Sequence, residues 1–127
     1  MRQLSTAAEA AILMAICVKR KEAEAGKELS RLRLSEKTLK LLTGRRRVDW
    51  RFVADLNEAL LDHNLILLLT GDAIGLLKAS AIKGFPRMNS DRVSEELKLA
   101  RRGKLDYDDL ANELEDETSE FDEEIDD

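Results

Sequence analysis

Arg45-Arg46-Arg47, followed four positions later by Arg51, is the densest basic stretch of this chain. A guanidinium is a planar fork of donors that can engage a guanine edge or two phosphate oxygens at once. The chemistry these residues suit is therefore the binding of a polyanion. Lys37 and Lys40 just before them, and Lys78 further on, would add phosphate contacts, which hold a protein on a duplex without reading its sequence. The same arginines could equally form a plain solvated connection, and that reading stays open. Bond-making chemistry has little to build on. One histidine, His63, and one cysteine, Cys17, supply neither a Ser-His-Asp nor a Cys-His set, and together they cannot make a metal site. Gly71-Asp72-Ala73-Ile74-Gly75 lacks the lysine and the spacing of a phosphate loop. We expect no enzyme and no cofactor.

Charge is sorted along the chain. All 21 Lys and Arg lie within residues 1–104, against 13 acids, whereas residues 105–127 hold the other 13 acids and no base. A front carrying +8 is thus joined to a tail carrying −13, for a total of −5. A basic body is the electrostatic footprint of a polyanion binder, and a terminal block of like charge reads as an interaction tail. The only long apolar run near the start, Ala7–Val18, is too short for a membrane span and contains Glu9. With no cysteine pair either, the expectation is a cytoplasmic protein without a membrane partner.

The elements that would position the arginines can be read from caps and periodicity. Thr6 with Glu9 three residues later matches a capping box and opens a helix to about Ala25, stopped by Gly26. Ala8, Ile12, Ala15 and Ile16 share one of its faces, and Cys17 is expected in the core. Arg31–Leu34 alternates polar and apolar, as a single edge strand or the end of a helical turn would. Ser35 caps a second helix that ends at Gly44, with Thr38, Leu39, Leu41 and Leu42 apolar. Asp49 caps a third helix, Trp50 to about His63, in which Phe52, Val53, Leu56, Ala59, Leu60 and His63 face a core, while Trp50 either plugs that core, the favoured reading, or stacks on a base. Leu65–Thr70 and Ile74–Ile82 are expected as a β-hairpin turning at Thr70–Ala73, although leucine is a weak strand former and a helix over 73–82 is the alternative. Asn89, Ser90 or Asp91 opens a short helix, Arg92–Arg102.

Helix, short strand, helix, basic turn, helix and two strands is an order that resembles the winged helix-turn-helix superfamily, over about residues 5–83. The resemblance implies a mainly α fold with a small β-hairpin, divided as a winged-helix-like domain at 1–88, a short helix at 89–104 and an acidic, largely disordered tail at 105–127. It also implies that the third helix enters the major groove by its N-terminal end, with Arg45, Arg46, Arg47 and Arg51 as main contacts, Trp50 and Asn57 nearby, and Lys37, Lys40 and Lys78 in support. The expected protein is a small DNA-binding transcriptional regulator or a phage or plasmid accessory factor. A homodimer is possible through the Ala- and Ile-rich first helix.

One feature opposes that reading. Asp55, Glu58 and Asp62 fall on the outward side of the third helix, where they would repel phosphates. The alternative is a protein-interaction adaptor, or an inhibitor of a nucleic-acid-binding protein, acting through that acidic face and the tail. The tail would modulate binding, recruit a basic protein through Tyr107, Leu110, Leu114 and Phe121, or only keep the chain in solution.

Overall fold

The structure is a computed structural model, and it describes residues 5–115. Within these the chain is mainly helical, with a small three-stranded antiparallel sheet. It divides into two units, Met1–Phe85 and Pro86–Asp127. The first holds α1 (Ala7–Ala25), β1 (Arg31–Leu34), α2 (Glu36–Thr43), α3 (Trp50–Leu61), β2 (Leu65–Leu69), β3 (Ile74–Lys78) and a 3₁₀ segment at Ala79–Gly84. The second holds α4 (Ser94–Arg101), preceded by a 3₁₀ turn at Asp91–Val93, and a helical stretch over 107–115.

Each helix of the first unit begins where a side chain satisfies an orphaned amide. Thr6 and Glu9 form the reciprocal capping box of α1, at 3.1 and 2.9 Å. Ser35 accepts from the Thr38 amide and Asp49 from the Phe52 amide. Gly44 closes α2 at φ 67°, a left-handed conformation costly to a residue with a Cβ; a Cβ there would also meet the Ser5 hydroxyl at 3.5 Å.

The sheet order is β1-β3-β2, so β3 is central, with Leu34 paired to Ile74 on one side and Leu69 to Ile74 on the other. One side of the hairpin sends Leu65, Leu67, Ile74 and Leu76 into the core. These meet Ala10, Ala11, Met14 and Val18 of α1, Leu39 of α2, and Phe52, Leu56 and Leu60 of α3. At about 25 cal/mol per Å² of apolar area removed from water, burial on this scale is the main stabilising contribution. Asn57 ties α3 to the sheet through both ends of its amide: the Leu67 N–H donates to Oδ1 at 2.7 Å and Nδ2 donates to the Leu67 carbonyl at 3.0 Å.

Several expectations are corrected. The buried side of α1 is Ala10, Ala11, Met14 and Val18, so Ile12 and Ile16 point outward and Cys17 is exposed. Leu41 is exposed, and the buried partner of Leu39 on α2 is Thr43, whose hydroxyl donates to the Leu39 carbonyl at 2.9 Å. The third helix ends at Leu61 rather than His63, and His63 is exposed. Its exit is set by Asn64 at φ 63°, whose side chain accepts from the Ser80 amide at 2.8 Å and donates to the Ser80 hydroxyl at 2.9 Å. That clamp, with the low strand preference of Ala79, Ser80 and Ala81, ends the last strand at Lys78 rather than Ile82 and sends the chain into a 3₁₀ turn.

Candidate nucleic-acid interface

The link between α2 and α3 is short because Gly44 stops one helix and Asp49 starts the next. It confines Arg45, Arg46 and Arg47 to one corner, where the three residues do different things. Arg45 turns inward. Its guanidinium lies 3.9 Å from the centre of the Phe52 ring, and its Nη2 donates to the Ser5 carbonyl at 3.0 Å. It therefore joins the start of α1 to α3, which gives Arg45 a packing role that its sequence neighbours lack. The cause is local: Phe52, three residues past the Asp49 cap, offers a π-face where Arg45 leaves α2, and the Ser5 carbonyl before α1 lies beside it.

Arg46, Arg47 and Arg51 are exposed, and among the described residues none of them, nor Lys37, makes an ion pair. Lys37, Lys40, Arg45 and Arg46 line one open cleft with Ser5 and Glu36. Lys40 shares its charge with Glu36, one helical turn back, at 3.0 Å; both side chains are largely in water, so the pair contributes little.

Lys78 lies elsewhere. It ends β3 at the opposite end from the hairpin turn, and its ammonium donates to Glu22 of α1 and, at 3.0 Å, to Glu28. The hydrogen bond from Lys78, then that from the Leu29 amide, hold the Glu22 carboxyl below the ordinary range, and Glu22 followed by Glu28 pushes the Lys78 ammonium above its own. A lysine so paired has less free charge to offer a phosphate than the unpaired arginines have.

The expectation that Trp50 plugs the core is corrected. It is not in the core: it is 74 % exposed at the first position of α3, with the Arg51 guanidinium 5.3 Å from its ring centre. The signal was available in the period. Phe52, Leu56 and Leu60 define the buried stripe, and a residue two positions before Phe52 is turned some 200° away from it at about 100° per residue. Asn57, spent on Leu67, is likewise removed from the exposed contact set.

Further along α3, Asp55, Glu58 and Asp62 are exposed, with Leu61 among them. In the second unit, Asp106 caps the 107–115 stretch through the Asp108 and Asp109 amides at 3.1 and 3.3 Å. Tyr107 and Leu114 are largely exposed there, Leu110 is half-buried, and Phe121 lies outside the described residues.

No family model, curated protein or solved structure matches this chain. Among the described residues no helix is long and apolar enough to cross a membrane.

Proposed function

We propose that this is a small DNA-binding protein of the winged-helix type, a transcriptional regulator or an accessory factor, that approaches duplex DNA with the first turn of α3. The observation that carries the reading is the exposed Trp50 set among exposed Arg46, Arg47 and Arg51 at that helix end. Arginine forks engage phosphates and guanine edges in the groove, and an exposed indole ring offers apolar contact beside them together with an N–H donor. A helix N-terminus adds a favourable field for anions. Approach by the first turn alone leaves Asp55, Glu58 and Asp62 clear of the phosphates. The acidic stretch from residue 105 onward then modulates that binding or recruits a partner.

Trp50 is the single tryptophan, so its fluorescence reports the site directly. Titration with duplex DNA is expected to quench it, and Trp50→Ala to weaken binding about 10-fold, equivalent to about 1.4 kcal/mol. Unchanged emission at saturating DNA, or full affinity in Trp50→Ala, would remove the site from the account.

A second reading is favoured by a different observation, the exposed row Asp55, Glu58, Leu61 and Asp62. An acidic face with an apolar residue in it suits a basic protein partner, which would make the chain an adaptor or an inhibitor of a nucleic-acid-binding protein. Glu58→Lys separates the two readings. It strengthens DNA binding under the first and abolishes partner binding under the second.

A further inference from the structure

Helix α1 has a second apolar side that the core does not use. Opposite the buried Ala10, Ala11, Met14 and Val18, the side chains of Ile12, Leu13 and Ile16 are 51, 50 and 38 % exposed. Scattered exposed apolar residues are ordinary, but these belong to a pattern. Glu9, Leu13, Ile16, Arg20 and Ala23 follow at spacings of four, three, four and three, the heptad spacing with which a helix presents one seam to another helix.

The charges at the ends of this seam select its occupant. An acid stands at the N-terminal end and a base at the C-terminal end, with Leu13 and Ile16 between them. Two parallel copies would set Glu9 on Glu9 and Arg20 on Arg20. Two antiparallel copies set Leu13 on Ile16 and Glu9 on Arg20, each twice by symmetry. Glu9 is free to take part. Its carboxylate accepts from the Thr6 amide, a bond that holds it in its charged form, and two carboxylate oxygens have acceptor capacity left for a guanidinium. Among the described residues Arg20 makes no ion pair.

We propose that two copies of this chain associate through α1 in an antiparallel pair, Leu13 against Ile16 and Glu9 against Arg20 of the second copy. The contact is self-complementary, so it closes at two. It stands apart from the nucleic-acid reading, because no residue of the seam belongs to the basic corner.

Sedimentation of the full chain over a concentration series tests it. The expected result is a species of twice the 14.4 kDa chain mass whose share rises with concentration. Ile16→Glu, at an exposed position, is expected to keep the native circular dichroism and raise the dimer dissociation constant by at least about 10-fold, because a charge is then buried without a partner. Orientation is read in a Cys17→Ser background by mixing Glu9→Cys and Arg20→Cys chains. A mixed disulfide is expected and homodisulfides are not, since like positions in the antiparallel pair stand about 16 Å apart along the axis at 1.5 Å per residue. A monomer at every concentration overturns the proposal. So does a dimer that Ile16→Glu leaves intact, or an Arg20→Cys homodisulfide in place of the mixed one.

Discussion

An arginine stacked on a phenylalanine ring, with one nitrogen on a main-chain carbonyl, holds two segments of chain together. Arg45 does this between Ser5 and Phe52, while its sequence neighbours Arg46 and Arg47 stay in water. Replacing Arg45 by alanine removes a charge-assisted hydrogen bond and a cation–π contact. The expected loss is about 2 kcal/mol in urea unfolding. Arg45→Lys is expected to recover less than half of it, because an ammonium cannot stack and bond in the same plane. The salt slope of DNA binding should be unchanged in both variants. At this scale the sequence was least legible. Three identical residues in a row carry no mark of which will be folded in; that depends on Phe52 and Ser5, brought there by α3 and by the start of α1. Trp50 was more legible, since its offset from the Phe52–Leu56–Leu60 stripe already turned it outward.

Between elements, the decisive interactions are few and specific. Asn57 fixes α3 to β2, Asn64 fixes the end of the hairpin, and Lys78 joins β3 to α1 through Glu22. The last has a pH signature. The Glu22 carboxyl is held down by Lys78 and by the Leu29 amide, so its stabilisation is present above the ordinary glutamate value, about 4.3, and is lost as pH falls through the lowered one. The Lys78 ammonium is pushed up by Glu22 and then Glu28, so its stabilisation is present below about 10.4 and is lost as pH rises through the raised value. Lys78→Gln is therefore expected to lower the melting temperature by a constant amount across neutral pH, with the gap to the wild type closing on both limbs and DNA affinity unaffected. A gap independent of pH would refute the coupling. Elements were the most legible scale. The caps Thr6, Ser35 and Asp49 and the stops Gly26 and Gly44 are local chemistry, and they appear where the residues place them. The orientation of α1 was not legible, because apolar residues lie on both its sides: Ala10, Ala11, Met14 and Val18 on the buried one, and Ile12, Leu13 and Ile16 on the exposed one.

For the whole molecule, charge distribution organises the account. The first unit carries 15 basic and 10 acidic residues in Met1–Phe85, several of the bases are tied up in pairs or packing, and the stretch from residue 105 onward is wholly acidic among its ionisable side chains apart from Tyr107. Sequence alone showed this sorting and set Trp50 near the arginines, but it could not show that the indole is exposed while Arg45 is packed. The most direct test of the central claim is the affinity of the full chain for duplex DNA as a function of salt, beside that of the Arg46→Gln/Arg47→Gln variant. The account predicts binding at low salt with a log–log slope that falls by about 1 for each arginine removed, and with weakening that is uniform across DNA sequences. Failure of the wild-type chain to bind at low salt, or an identical slope in the variant, would contradict it.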